Sequence, residues 1–267
     1  MRVSVIIPAA GRSERFGGGD KLAQDLGGRA LLIRTAELFA KRDEVFEIIV
    51  AGPPDPASAF EAFRDRYGPT IAFHGGRIVP GGKVERWETV KEALNHVSDD
   101  ATHVAVHDAA RPATPNDVIS RVFEAGQSLP AVIPGVQVRA TVKRISAEAT
   151  DAAARDEDDA LNDLILGDAG RSEVPVRTVL ETVDRANLVE VQTPQLFAVD
   201  LLRRAYEQTD LDGATDDAGL VERLGEAVHV VEGDVRNIKV TDPGDLALVR
   251  AILGVKPPAE RPVHKRF

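Results

Sequence analysis

Residues Arg2-Val3-Ser4-Val5-Ile6-Ile7 run directly into Pro8-Ala9-Ala10-Gly11. The first six are rich in β-branched side chains and predict a short buried strand, which the proline and the small residues end. Open α/β sheets bind their ligands beyond the carboxyl ends of their strands. A glycine turn directly after a first strand therefore favours a ligand site at that point.

Strand and helix patterns alternate along the rest of the chain. The predicted helices cover residues 30–41, 56–67, 85–97, 116–125, 199–209, 216–224 and 242–253, the fourth with Thr114 as its cap and Pro115 in its first turn. The predicted strands cover residues 46–50, 70–73, 103–107, 227–232 and 238–240. Strands separated by helices predict an α/β fold with a mostly parallel, doubly wound (Rossmann-like) sheet covered on both faces.

We predict that an inserted β-excursion, called the β-arm below, interrupts this alternation. Residues 131–145, 176–182 and 189–192 are strand-like, and between them lies an acidic segment, residues 146–175. Nine acidic residues against two arginines place seven of the ten net negative charges in that segment, which we interpret as a long surface loop. The expected organisation is one domain at 1–254, with the arm and the acidic insert at about 136–187, and a flexible tail at 255–267.

Composition narrows the possible functions. The chain has no cysteine, which excludes thiol nucleophiles, disulfides, iron–sulfur clusters and thiolate zinc sites. The apolar run Val5-Ile6-Ile7 is too short for a signal peptide or a membrane span, so we expect a cytoplasmic enzyme or binding protein. A net charge of −10 argues against nucleic-acid binding, but a near-neutral body outside the acidic segment can still concentrate positive charge in one pocket.

The loop after the first strand has the chemistry of a phosphate site. Glycines allow close backbone approach, and Arg15 and Lys21 supply the charge that a polyphosphate needs. The loop lacks the Gly-Lys-Ser/Thr of a Walker A motif, and Ser13 and Phe16 occupy the glycine positions of a dinucleotide fingerprint. The alternative is a glycine-rich turn with exposed basic residues.

A second motif, His107-Asp108-Ala109-Ala110-Arg111-Pro112, follows a predicted strand. An aspartate at a strand end followed by small residues suits a metal-bound triphosphate. The alternative is an Asp108–Arg111 pair that only stabilises the turn. We expect His107 to pack or to form hydrogen bonds rather than to act as a base.

Three further segments each allow two interpretations. Lys239, between Ile238 and Val240, is either an ordinary solvent-facing residue of a strand or a cation directed into the cleft. The turn Gly81-Gly82 leads into a helix whose N-terminus either binds an anion or base edge or is simply capped. Arg185 either binds phosphate or pairs with Asp184.

The order of these motifs is more specific than any one of them. Together with Gln192-Thr193-Pro194-Gln195-Leu196-Phe197 and Thr215-Asp216-Asp217, the series resembles the 2-C-methyl-D-erythritol 4-phosphate cytidylyltransferase family from about Val3 to Leu253. The resemblance implies a nucleotidyltransferase-type fold. It also implies transfer of CMP from CTP to methylerythritol phosphate in non-mevalonate isoprenoid synthesis, with Mg²⁺ as cofactor and a homodimer formed through the β-arm.

The resemblance also implies residue roles. Arg15 and Lys21 would stabilise the pentavalent transition state, Arg185 and Lys239 would orient the attacking phosphate, and Asp108 would face the metal. Thr141 and Arg185 would act on the active site of the other subunit. The substrate-binding residues implied are Pro8, Ala9, Ala10, Gly11, Gly82, Arg86, Thr89, Asp108, Ala109, Arg111, Thr141 and Thr193.

Three features differ from the family pattern. The family has Pro-Lys-Gln around the loop lysine, often has an acid in the Gly81 turn, and has a much shorter arm than this chain, whose arm contains the acidic segment 146–175. This chain has Asp20-Lys21-Leu22 and Lys83-Val84, and an acid beside Lys21 would be expected to damp its charge. Two alternative functions stay open: a cytidylyltransferase for another polyol phosphate such as ribitol 5-phosphate, and a non-catalytic nucleotide sensor. The missing glycine fingerprint disfavours a nicotinamide-dependent oxidoreductase.

Overall fold

The computed structural model describes residues 1–11, 16, 20–151 and 174–256. The chain divides into two compact units, one formed by Met1–Val136 with the chain from Val191 onward and the other by Gln137–Glu190. The strands are β1 (Val3–Pro8), β2 (Val45–Gly52), β3 (Gly76–Pro80), β4 (His103–Val106), β5 (Ala131–Gln137), β6 (Val142–Ile145), β7 (Thr150–Asp151), β8 (Pro175–Val176), β9 (Val179–Val183), β10 (Val189–Val191), β11 (Gln195–Ala198) and β12 (His229–Glu232). The helices are α1 (Leu31–Glu37), α2 (Ala57–Phe73), α3 (Arg86–Leu94), α4 (Asn116–Ala125), α5 (Val199–Tyr206), α6 (Asp217–Arg223) and α7 (Pro243–Leu253).

The central sheet has the strand order β10-β5-β11-β4-β1-β2-β3, with β12 paired to β5. β1 runs parallel to β2 and β4, β2 parallel to β3, and β12 parallel to β5. β11 alone among these registered pairs runs antiparallel, to β4 on one side and β5 on the other. The predicted mostly parallel α/β sheet is therefore confirmed.

Both faces of this sheet are covered, as the near-continuous apolar sequence of β1 requires. Val5 and Ile7 belong to one buried core, to which α1, α2, α4 and α7 contribute. Ile6 points to the opposite face and belongs to a second core with residues of α3, α5 and α6. The doubly wound arrangement places the segments that follow β1, β3 and β4 at one edge of the sheet.

The described part of the second unit contains two short antiparallel strand pairs. β6 pairs with β9, and β7 pairs with β8. Val179 and Leu180 of β9 are more than half exposed. Most of the acidic insert, at 152–173, and the tail at 257–267 lie outside the described residues.

Several local predictions were wrong. The predicted strand at 70–73 is the end of α2, which continues through Pro69 because Tyr67 and Ile71, one helical turn apart, are both buried in the core. The predicted strand at 238–240 is part of a loop, in which the Val240 amide donates to the carbonyl of Ala110. β3 and β11 were not predicted: the sequence pattern placed no strand at either position.

The proposed cap of α4 was also wrong. Pro115 occupies the N-cap position without a side-chain hydrogen bond. The Thr114 hydroxyl instead donates to Asn237 Oδ1 at 2.8 Å, and so ties the loop after β4 to the segment after β12. Within the described ranges, no helix combines the length and apolar character needed to cross a membrane.

Candidate active site

A cavity of about 790 Å³ opens where the carboxyl ends of the parallel strands meet. Small residues after β1 form one wall, the turn before α3 forms another, and charged side chains from four segments point into it. The residues that line it are Pro8, Ala9, Ala10, Gly11, Lys21, Leu22, Gly82, Lys83, Val84, Glu85, Arg86, Thr89, Asp108, Ala109, Ala110, Lys239 and Thr241.

One carboxylate in this cavity contacts three cations, and we call this group the Asp108 cluster. Asp108 Oδ1 lies 3.5 Å from Arg86 Nε, and Oδ2 lies 3.2 Å from Arg111 Nε and 3.1 Å from Lys239 Nζ. Burial alone would raise the pKa of Asp108, but the charges of Arg86, Lys239 and Arg111 outweigh it and hold that pKa well below its usual range. The carboxylate is therefore ionised at any physiological pH, and the cluster carries a net charge of about +2.

The two interpretations of the Asp108–Arg111 pair prove compatible. Arg111 stabilises the turn, because its Nη1 also donates to the carbonyl of Asn237 at 2.6 Å. Asp108 nevertheless remains part of the cavity wall. Lys239 contacts Asp108 although its segment is not a strand. The next residue, Val240, is fully buried in the core, and the Lys239 side chain extends to the other side of the segment, toward Asp108.

Backbone hydrogen bonds hold the turn before α3 in place. Glu88 Oε2 accepts hydrogen bonds from the amides of Lys83 and Val84, at 3.0 and 2.8 Å. The amide of Gly82 donates to Thr89 Oγ1 at 3.2 Å. A Cβ on Gly82 would lie 2.2 Å from that of Glu88, so this position requires glycine for close packing.

Asp20 stabilises the turn that carries Lys21. Its Oδ1 accepts hydrogen bonds from the amides of Leu22 and Ala23, at 3.0 and 3.2 Å, and so caps the 3₁₀ turn Lys21–Ala23. Its Oδ2 pairs with Arg66 Nη1 at 3.0 Å. The carboxylate thus has partners of its own, and it fixes the turn that carries the lysine.

His107 packs beneath the cavity, as the sequence predicted. Its ring meets that of Phe39 edge-on at 5.0 Å, and its Nδ1 lies 3.1 Å from Thr193 Oγ1. Thr193 Oγ1 in turn accepts a hydrogen bond from the amide of Asp108 at 3.1 Å. Burial lowers the pKa of His107 to about 4, so the imidazole is neutral at pH 7.

Most of the predicted site residues come together in this cavity. The ones that line it are Pro8, Ala9, Ala10, Gly11, Lys21, Gly82, Arg86, Thr89, Asp108, Ala109 and Lys239. Arg111 and Thr193 contact Asp108 from beneath. Thr141 and Arg185 are exposed residues of the second unit, and Arg15 lies outside the described residues.

Sequence analysis missed two residues that support the site. Asn237 donates from Nδ2 to the carbonyl of Thr193 at 2.9 Å. Asp217 pairs with Arg86. Asp217 lies in the motif Thr215-Asp216-Asp217, and Asn237 lies two positions before Lys239, but the partners of both residues are far away along the chain.

A lone carboxylate suits a particular kind of metal site. Among the described residues, no three carboxylate or imidazole groups come close enough to hold a metal ion by themselves. Mg²⁺ is commonly bound by one or two carboxylates, with substrate phosphates completing its coordination. Asp108, ionised and facing the cavity, fits that role.

A doubly wound sheet with small residues and converging cations at its carboxyl edge defines a nucleotidyltransferase-type α/β protein. The model of the family "IspD: 2-C-methyl-D-erythritol 4-phosphate cytidylyltransferase" matches residues 3–162 and 164–255. The chain belongs to this family, and the resemblance seen in its motifs is confirmed.

Individual relatives agree over nearly the whole chain. The 2-C-methyl-D-erythritol 4-phosphate cytidylyltransferase of Frankia casuarinae is 40% identical over 97% of this chain and 84% of its own length. That of Symbiobacterium thermophilum is 38% identical over 94% and 92%. The crystal structure of the Thermus thermophilus enzyme superposes with a TM-score of 0.66 at 31% identity, over 96% of this chain and 100% of that one. The 4-diphosphocytidyl-2C-methyl-D-erythritol synthase from Anaerococcus prevotii gives 0.70 at 26%, over 95% and 98%.

The buried, neutral His107 predicts a loss of stability in mild acid. Its pKa is lowered in the folded state, so between about pH 6.5 and about pH 4 the unfolded chain binds a proton that the folded chain does not. Between pH 7.5 and pH 5 this linkage removes about 2 kcal/mol from the free energy of unfolding. In the His107→Gln variant, the free energy of unfolding should therefore change much less between pH 7.5 and pH 5, as measured by urea unfolding at both pH values.

The exposed His96 provides the matched control. His96→Gln should keep the pH dependence of the wild-type protein. An unchanged dependence in His107→Gln would show that the buried imidazole does not cause it.

Proposed function

We propose that this protein transfers CMP from CTP to 2-C-methyl-D-erythritol 4-phosphate. The products are 4-diphosphocytidyl-2-C-methyl-D-erythritol and pyrophosphate, in the non-mevalonate route to isoprenoid precursors. The observation that carries the proposal is the Asp108 cluster in the cavity of a chain that belongs to the cytidylyltransferase family. Its location in the cytoplasm stays a prediction.

The chemistry explains why cations dominate the site. An oxygen of the acceptor phosphate attacks the α-phosphorus of CTP, a new P–O bond forms, and the bond to the β-phosphate oxygen breaks as pyrophosphate leaves. Two polyanions must approach each other, so fixed positive charges lower the barrier and no protein nucleophile is needed. In our proposal Lys21 and Arg15 stabilise the pentavalent state, and Lys239 and Arg185 orient the acceptor phosphate. That Lys21 and Lys239 line one cavity supports a single site in which both phosphates meet.

The uncharged walls would hold the nucleotide. Ala9, Ala10 and Gly11 leave the backbone open to the triphosphate, since they carry little or no side chain. Gly82 and Thr89 would contact the cytidine side, and their hydrogen bond supports a preformed turn there.

Asp108 would hold Mg²⁺ together with phosphate oxygens of CTP. When bound, the ion neutralises charge on the triphosphate. Arg86, Arg111 and Lys239 keep Asp108 ionised and oriented for that contact. Thr193 and the turn at Ala109 would fix the backbone at this point.

We further propose that the second unit is a β-arm inserted into a single nucleotidyltransferase domain and that it mediates a homodimer. The exposed apolar side chains of β9 and its edges support this, because uncovered strand edges promote association. Thr141 and Arg185 would then complete the active site of the partner subunit.

The most direct test of the activity is pyrophosphate release with defined substrates. With Mg²⁺ and methylerythritol phosphate, CTP should react much faster than UTP, ATP or GTP, because the family transfers a cytidylyl group. Ribitol 5-phosphate should be a poor acceptor. Activity with ribitol 5-phosphate alone would favour the other cytidylyltransferase, and nucleotide binding without product would favour a sensor.

Removing one cation of the phosphate loop should slow the chemical step. Lys21→Ala and Arg15→Ala should each lower kcat by roughly 10²-fold or more, because one preorganised electrostatic group contributes on that scale. KM for CTP should rise less than kcat falls, since the cation acts on the transition state. Steady-state kinetics would measure both.

Lys91, exposed on α3 and outside the cavity, is the control. Lys91→Ala should leave kcat and KM unchanged. Equal kinetics for Lys21→Ala and Lys91→Ala in folded protein would remove Lys21 from the mechanism.

Co-expression would test whether Arg185 acts across a dimer. Arg185→Ala and Lys21→Ala should each be impaired alone. Their heterodimer has one site with an intact Lys21 and an intact Arg185 from the other subunit, so it should regain part of the wild-type rate. A co-purified heterodimer no more active than the two homodimers would place Arg185 outside the partner's site.

A further inference from the structure

Arg86 lines the cavity and is paired with a buried carboxylate, Asp217, that does not line it. Arg86 Nη2 lies 2.8 Å from Asp217 Oδ2, and Asp217 is fully buried at the start of α6. The hydroxyl of Tyr206, on α5, donates to Asp217 Oδ1 at 2.5 Å. These three side chains form what we call the Arg86 anchor.

Arg86 lies closer to Asp217 than to Asp108. Arg86 Nε approaches Asp108 Oδ1 only to 3.5 Å, a distance too long for a well-formed hydrogen bond. One guanidinium therefore spans two carboxylates, tightly bound to Asp217 and loosely to Asp108. Because guanidinium is planar and rigid, fixing its Nη2 also fixes the direction of Nε.

The position of Asp217 is itself well determined. Its neighbour Asp216 caps α6, accepting from the amide of Gly219 at 3.0 Å and from Gln195 Nε2 at 2.7 Å. Gln195 Oε1 in turn accepts from the amide of Ala218 at 3.0 Å. β11 thus fixes the first turn of α6. Burial and the adjacent Asp217 raise the pKa of Tyr206, so its hydroxyl stays protonated and donates.

Loss of Asp217 would change the charge balance around Asp108. Arg86 is only about a quarter exposed, so without Asp217 its partly desolvated charge would turn to another carboxylate, because such a charge without a counter-ion is costly. Asp108 is the nearest carboxylate, and Oδ2 of Asp108 already serves Arg111 and Lys239. Arg86 would compete for Asp108, and both the direction of that carboxylate and the place of Lys239 would change.

We propose that Asp217, supported by Tyr206, is a positioning residue for cytidylyl transfer. It pairs with the Arg86 guanidinium, so that Arg86 does not pull Asp108 out of the orientation that the substrates need. This inference rests on the proposed function. It gives a role to the second aspartate of Thr215-Asp216-Asp217, which the reaction itself leaves unexplained.

A double-mutant cycle tests whether Asp217 acts through Arg86. Asp217→Asn, Arg86→Gln and the double variant would be compared with wild type by kcat and KM for CTP, normalised to folded protein, and by urea unfolding. Asp217→Asn should lower kcat/KM roughly 10²-fold, the scale of misplacing a reacting group by about 1 Å. In the Arg86→Gln background the same change should cost less than about 3-fold, since no guanidinium is left to position.

Two further variants separate positioning from stability. Glu47 is another buried carboxylate paired with an arginine, Arg77, at 2.8 Å, and it does not line the cavity. Glu47→Gln should lower the urea midpoint without changing kcat or KM. Tyr206→Phe keeps the packing and removes one hydrogen bond, and we expect a loss of roughly 5-fold in kcat/KM, absent in the Arg86→Gln background.

The outcomes are distinguishable. A wild-type protein that forms no product from CTP and methylerythritol phosphate rejects the proposed function, and the inference with it. An active wild type whose Asp217→Asn and Tyr206→Phe variants lose stability alone, as Glu47→Gln does, overturns only the inference. Losses that multiply in the Arg86→Gln background would equally show that Asp217 does not act through Arg86. If Asp217→Asn fails to fold, the cycle with Tyr206→Phe decides.

Discussion

The contact of the Asp108 carboxylate with three cations organises this molecule's site. Asp108 follows β4, Arg86 begins α3, Arg111 closes the turn after Asp108, and Lys239 follows β12. Arg86, the Asp108–Arg111 turn and Lys239 are far apart along the chain, so the charges around the buried Asp108 come together only when the sheet and its connections are complete. A buried carboxylate is stable only beside positive charges. Three basic groups, which repel one another, come this close only around a negative charge.

This clustering explains how an acidic protein can offer a site for polyanions. The chain carries a net charge of −10, yet the Asp108 cluster, with Lys21 in the same cavity, is positively charged. Most of the excess acid lies in residues 146–175 of the sequence. A local field depends on where charges are fixed, and a whole-chain sum says little about one cavity.

The sequence predicted the fold class and most of the cavity wall because both follow from local order. A strand followed by small residues, or by an aspartate, can be recognised in a few residues, and parallel pairing then brings such ends together. The predicted helix at 56–67 was too short, because α2 continues through Pro69, where burial of Tyr67 and Ile71 outweighs the helix-breaking tendency of proline.

The supporting contacts could not be predicted in the same way. Arg86 and Asp217 are 131 positions apart, and Thr114 and Asn237 are 123 apart. Each residue alone is an ordinary polar side chain near a helix or turn. Their pairing depends on how α3, α6 and the segment after β12 pack on the sheet, which no short pattern encodes.

The central claim is that the ionised Asp108 makes the surrounding cations a working site. The most direct measurement is the turnover of Asp108→Asn with CTP, methylerythritol phosphate and saturating Mg²⁺. This change keeps the shape of the side chain and removes its charge. The account predicts that kcat falls by roughly 10²-fold or more, as expected for loss of a central electrostatic group. A folded Asp108→Asn variant with a kcat within about 3-fold of wild type would contradict it, because a change of that size is too small for the loss of a central charge.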